Sequence, residues 1–68
     1  MNVIIDLHGV KHSSVENLIQ SACLDYDPPF VVITGKSVDM KRLVDIAVKP
    51  FGLSTRDTID NPGRVVVE

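Results

Sequence analysis

The stretch Val3-Ile4-Ile5-Asp6-Leu7-His8-Gly9 decides the fold, because in it an apolar run ends in polar residues and a glycine. Farther along, Phe30-Val31-Val32-Ile33-Thr34-Gly35-Lys36-Ser37 repeats the pattern. Short apolar runs with such boundaries predict buried strands, and a glycine allows a sharp turn into a following helix. In an open α/β sheet, the edge where strands end and helices begin is where ligands bind.

The segment after each predicted strand has the periodicity of a helix. The first helix is predicted over 14–24 and the second over 38–49. Ser13 and Glu16 form a capping-box pattern before the first helix. Either Ser37 or Asp39 can cap the second helix. The predicted buried residues are Val15, Leu18, Ile19 and Ala22 in the first helix, and Met40, Leu43, Val44 and Ala47 in the second, with Phe51 beneath its end.

The last third of the chain predicts a hairpin. Residues 53–59 and 64–68 flank the turn-rich Asp-Asn-Pro-Gly segment at 60–63. The element order is therefore βαβαββ within a single domain, residues 1–68. Strand–helix–strand passages are right-handed and make the two strands parallel. We expect an α/β fold, a two-layer α/β sandwich with a four-stranded mixed sheet and both helices on one face.

Two predicted strands are apolar on both sides of the pleat. These are Val31 to Ile33 and Val65 to Val67. A half-exposed antiparallel strand alternates apolar and polar residues instead. The second sheet face is therefore predicted to meet a protein partner or another copy of the chain.

Composition restricts the class of protein. The net charge of −2 argues against a general electrostatic attraction to nucleic acid. The single cysteine, Cys23, forms no internal disulfide, and neither a membrane-spanning run nor a signal peptide after Met1 is visible. We therefore expect a reduced, cytoplasmic protein. Basic residues are nevertheless concentrated in one part of the chain, at Lys36, Lys41, Arg42 and Lys49. This cluster is either a local basic face or an ordinary solvated helix face.

Asp6 and His8 are candidates for acid–base chemistry. Residues two apart in a strand point to the same side, so the carboxylate can orient the imidazole and raise its basicity. The same two side chains alone make a weak site for a divalent ion. The alternative is that Asp6 caps a neighbouring loop and that His8 is a packing residue.

Gly35-Lys36-Ser37 resembles the end of a nucleotide-binding P-loop. The opening glycine of that motif belongs at position 30, where the chain has Phe30, so a P-loop is excluded. A glycine turn before a helix still presents backbone N–H groups to one phosphate. Lys36 can add charge there, and Thr34 and Ser37 can donate hydrogen bonds.

Taken together, these motifs resemble the Smr (small MutS-related) domain over residues 3–67, in its compact stand-alone form. The first motif of that family, Asp-x-His, is matched by Asp6 and His8. The second, His- or Thr-Gly-x-Gly, is matched by residues 34–36, but Ser37 stands in place of the usual last glycine. The resemblance implies a fold similar to the C-terminal domain of bacterial translation initiation factor three.

The resemblance also implies a nucleic-acid endonuclease that nicks DNA or cleaves RNA. Asp6 would orient a proton-transferring His8, without metal on RNA or with Mg²⁺ or Mn²⁺ on DNA. The predicted nucleic-acid-binding and phosphate-binding residues are the motif residues together with two cations of the basic stretch: Gly9, Thr34, Gly35, Lys36, Ser37, Lys41 and Arg42. Two alternatives remain at this stage: a binding module without catalysis, and a protein-interaction domain that docks through its sheet face.

Overall fold

The computed structural model describes residues 3–68, so the expectation about Met1 lies outside the described residues. No helix in this range is long and apolar enough to cross a membrane. The elements in chain order are β1 (Ile4–Asp6), α1 (His12–Asp25), β2 (Phe30–Ile33), α2 (Val38–Val48), a short 3₁₀ helix (Lys49–Phe51), β3 (Thr55–Asp57) and β4 (Arg64–Val67).

The strands form one mixed sheet in the order β1-β2-β4-β3. Strand β2 runs parallel to β1 and antiparallel to β4, and β3 pairs antiparallel with β4. The predicted four-stranded mixed sheet with two helices is therefore confirmed. The peptide bond between Pro28 and Pro29, just before β2, is cis.

One hydrophobic core lies between the helices and one face of the sheet. In β2 and β4 every second residue is buried, as expected when only one side of a strand faces a core. The apolar residues that form the core are Leu7, Val15, Ile19, Ala22, Phe30, Val32, Met40, Val44, Ala47, Val48, Val65 and Val67. The opposite face of the sheet is not covered by any element of the described chain.

Helix α1 begins two residues earlier than predicted, and its predicted cap is wrong. Lys11 is the N-cap residue, and no side chain caps this helix end. Ser13 lies within the first turn, where helical backbone angles prevent it from acting as an N-cap. Leu18 is 44% exposed, so its predicted burial is also wrong. At 100° per residue it lies at the edge of the stripe centred on Ile19.

Helix α2 begins where predicted, and Ser37 is its cap. The Ser37 Oγ accepts a hydrogen bond from the Met40 N–H at 3.1 Å. The end of the helix differs from the prediction, because Phe51 is 38% exposed in the 3₁₀ turn rather than packed beneath it. Leu53 takes that place against the core, and its N–H bonds to the Val48 carbonyl at 3.3 Å.

The two serines at the helix starts provide a matched test of these caps. We expect Ser37→Ala to lower the free energy of unfolding by about 1 kcal/mol, because it removes the acceptor for an exposed helix amide. Ser13→Ala should change it by less than about 0.5 kcal/mol, because Ser13 caps nothing and alanine favours a helix interior. Urea unfolding followed by circular dichroism measures both. Equal losses in the two variants would contradict the cap assignment.

Candidate functional site

Two turns, one containing Gly9 and one containing Gly35, follow the ends of the neighbouring parallel strands β1 and β2 and start at the same level of the sheet. Asp6 at the end of β1 pairs with Ile33 at the end of β2. The Leu7 N–H continues the ladder by donating to the Ile33 carbonyl at 3.0 Å. The residues that follow these strand ends, His8-Gly9 and Gly35-Lys36, therefore emerge side by side at one edge of the sheet. All four are exposed.

The first turn is held by the backbone and by the Asp6 carboxylate. The Val10 N–H donates to the Leu7 carbonyl at 3.0 Å, and Gly9 has a φ of 76°. His8 has no positive φ, so the turn is of type II, which requires a glycine-like third residue. The Asp6 Oδ1 accepts a hydrogen bond from the His8 backbone N–H at 2.8 Å.

This geometry corrects the predicted strand placement of Asp6 and His8. Strand β1 ends at Asp6, and His8 lies in the turn, so the two do not lie side by side along a strand. The carboxylate bonds to the backbone of His8 and holds the turn that presents the imidazole. Leu7 points into the core, as expected. Asp6 is thus placed to position His8 through the main chain.

The second turn is fastened to the hairpin between β3 and β4. The N–H groups of Thr34 and Gly35 both donate to the Gly63 carbonyl, at 3.0 and 2.8 Å. The Thr34 hydroxyl donates to the Gly35 carbonyl at 2.8 Å, and Thr34 is 8% exposed. Gly35 itself has a φ of 68°. Thr34 and Gly35 therefore shape this loop through hydrogen bonds that are already formed.

These bonds limit which groups of the loop can reach a phosphate. The Gly35 N–H is engaged by Gly63, and the Met40 N–H by Ser37. The side chain of Lys36 is exposed and forms no ion pair among the described residues. Lys36 is thus the cation of this loop that is free to contact an anion.

Sequence reasoning missed the contribution of the hairpin to this edge. Gly63 supplies the shared carbonyl, and its own N–H donates to the Asn61 Oδ1 at 2.9 Å. The signal in the sequence was the Asp-Asn-Pro-Gly turn at 60–63, which predicts a reversal of the chain but not where the hairpin docks. Arg64, next in sequence, pairs with Ile33 across the sheet.

Lys41 and Arg42 lie early in α2, on the side that faces β3. Both line an open groove of about 500 Å³ between α2 and β3. The Lys41 Nζ lies 3.1 Å from the Asp57 carboxylate on β3. Strand β3 is three strands away from β1, which is about 14 Å at the usual strand spacing. The structure therefore does not bring these two cations together with Asp6 and His8.

Two further observations concern metal binding and the reactivity of the cysteine. Within residues 3–68, no cluster of three or more His, Cys, Asp or Glu side chains is placed to share a metal ion. Burial raises the pKa of the Cys23 thiol, which disfavours the reactive thiolate at neutral pH.

Comparisons with protein-family models, curated proteins and solved structures found no match to this chain.

Glycine is required at position 35 for its backbone conformation. A Cβ built there meets no atom within 4 Å, so a side chain would fit, but the positive φ strains it. We expect Gly35→Ala to lower the free energy of unfolding by about 1–2 kcal/mol, and Gly35→Asn by clearly less, because asparagine tolerates this conformation. Urea denaturation of both variants provides the measurement. Equal losses would show that the conformation is not the constraint.

Proposed function

We propose that the chain binds nucleic acid in the manner of an Smr-like domain and cleaves a phosphodiester bond with His8. The observation that carries this proposal is the pairing of Asp6 with Ile33, which brings the exposed His8 and Lys36 to one edge of the sheet. An imidazole for proton transfer and a cation for the phosphate are the minimum that such a reaction needs. The fold similarity to the C-terminal domain of translation initiation factor three belongs to the same proposal.

Cleavage of RNA requires no chemical group beyond solvent water, the side chains at this edge of the sheet and the ribose 2′-hydroxyl of the substrate. The ribose 2′-oxygen attacks the phosphorus, the bond to the 5′-oxygen breaks, and a 2′,3′-cyclic phosphate and a 5′-hydroxyl result. His8 takes the proton of the attacking 2′-hydroxyl or gives a proton to the leaving 5′-oxygen, and water makes the other transfer. Lys36 offsets the negative charge that develops on the phosphate. Asp6 acts as a positioning residue, because its carboxylate holds the His8 backbone.

DNA lacks the 2′-hydroxyl, so a water molecule must attack its phosphate. A Mg²⁺ or Mn²⁺ ion would supply an activated water and neutralise charge. Asp6 and His8 are the side chains at this edge that can contact such an ion. One carboxylate together with substrate phosphates and water is a common ligand set for Mg²⁺. The Asp6 carboxylate fits this role through the oxygen that does not bind the His8 N–H.

The two histidines provide the matched test of catalysis. We expect the wild-type chain and His12→Ala to cleave labelled single-stranded RNA, and His8→Ala to lose at least about a hundredfold in rate, the usual contribution of a general acid or base. Both histidines are exposed, so neither substitution should unfold the chain. The assay is run on RNA and DNA, with Mg²⁺, with Mn²⁺ and with chelator.

The same assay tests whether Asp6 acts through its hydrogen bond or through its charge. It also distinguishes catalysis from binding alone. Asp6→Asn keeps an oxygen for the His8 N–H but loses the charge. Metal-free cleavage should therefore survive in Asp6→Asn and fall in Asp6→Ala. Loss of cleavage in both would show that the charge itself is needed. Salt-sensitive binding without cleavage by any variant would contradict catalysis and leave a phosphate-binding module.

Lys36 and Lys41, both predicted to bind nucleic acid, differ in their contacts, because among residues 3–68 only Lys41 has an ion pair. We expect Lys36→Ala to weaken RNA binding several-fold and to lower the slope of log affinity against log salt by about one, because one phosphate contact is lost. Lys41→Ala should leave that slope nearly unchanged, because Lys41 pairs with Asp57. Fluorescence anisotropy at several salt concentrations measures both. A larger effect at Lys41 would move the binding surface to the groove beside β3.

A further inference from the structure

The uncovered face of the sheet has a regular arrangement of residues. Its row nearest the glycine turns runs Asp6, Ile33, Arg64 across β1, β2 and β4. The next row runs Ile4, Val31, Val66 across the same strands and reaches Arg56 on β3. Apolar side chains thus occupy the middle of the face, and Ile4 at its margin is 57% exposed.

The charges on this face are placed symmetrically about β2. Asp6 and Arg64 lie one strand to either side of Ile33. Among residues 3–68, Asp6 forms no ion pair. The Arg64 Nη2 lies 3.9 Å from the Asp60 Oδ2, beyond hydrogen-bonding distance, and the Arg64 Nε has no hydrogen-bond partner in the same range. Asp6 therefore has no ion partner in this range, and Arg64 has one long ion pair, with an exposed carboxylate, and an unbonded Nε.

We propose that this face binds a second copy of the chain about a twofold axis that lies along β2. Such an axis keeps the strand direction and reverses the strand order, so that β1 lies over β4 of the partner. Asp6 then faces Arg64 of the partner subunit, and Ile33 faces its own counterpart. The apolar row matches in the same way. A twofold interface between identical copies requires this kind of self-complementarity.

A second copy fits the face better than nucleic acid does. Glu68 pairs with Arg56 on this side of the sheet, and Asp6 adds a further negative charge, so the face offers little net attraction to phosphates. When two sheets pack in an aligned manner, the side chains of their facing surfaces interdigitate, and the apolar middle of this face can be buried in that way.

The size of the face indicates a weak dimer. The two longest dimensions of the molecule are 26 and 25 Å, and the sheet face lies within that outline. A standard interface buries about 800 Å² of accessible surface on each partner. That is close to a fifth of the 4508 Å² of this chain, a large share for one face whose strands have only three or four residues each. The dimer should therefore form at high protein concentration and dissociate on dilution.

Two isoleucines with similar exposure provide the matched test. Ile4 on the sheet face is 57% exposed, and Ile46 on α2 is 52% exposed. Sedimentation equilibrium is measured from about 10 μM to about 1 mM, a concentration range that spans weak association. Wild type and Ile46→Lys should dimerise in this range, whereas Ile4→Lys should stay monomeric. A monomeric wild type over this range would overturn the proposal, as would dissociation by Ile46→Lys but not by Ile4→Lys.

Charge exchange tests the twofold register. Arg64→Glu should weaken self-association at least several-fold, and Asp6→Lys combined with Arg64→Glu should restore it. Failure of the double variant to restore it, in a protein that keeps its circular dichroism spectrum, would overturn the register. Nuclear magnetic resonance of the wild type gives an independent readout: on dilution, the signals of Ile4, Ile33 and Val66 should shift, and those of Leu24 and Ile46 should not. These measurements use no nucleic acid, so their outcome is separate from that of the cleavage assay.

Discussion

Strand β2 constrains the rest of the molecule, because it alone joins the parallel and the antiparallel parts of the sheet. One edge of Phe30–Ile33 pairs with β1 and the other with β4. Phe30 and Val32 on one side of the strand are buried under the helices. A slip of one residue in its register would exchange the buried and the open sides and expose these core residues. The same register brings the first glycine turn and the hairpin to the level of Ile33.

The hydrogen bonds to the Gly63 carbonyl extend this constraint to the loop after β2. The N–H groups of Thr34 and Gly35 both donate to that carbonyl, although Gly63 follows Gly35 by 28 residues in the sequence. The loop is consequently held in place by tertiary contacts, and the Thr34 and Gly35 amides are not available to a ligand. The exposed side chains at this edge are His8 on one turn and Lys36 on the other.

The distribution of charge follows from pairing within the fold. Lys41 and Lys49 have carboxylate partners on β3 and on α2, so two of the four cations of the predicted basic stretch are paired within the fold. Exposed pairs of this kind contribute little to stability, but they reduce the local positive potential. Lys36, which forms no ion pair among residues 3–68, keeps its charge for other contacts.

The sequence by itself determined the elements and most of the core. Apolar runs between glycines and prolines predicted both central strands, and helical spacing identified Val15, Ile19, Met40 and Val44 as buried. Such signals are local, since strands and helices impose their periods on neighbouring residues. The tertiary structure alone decided that Asp6 bonds to the backbone of His8 and that Gly63 closes the second turn. Those contacts depend on the end of a strand and on the docking of a distant hairpin, and neither leaves a periodic pattern in the chain.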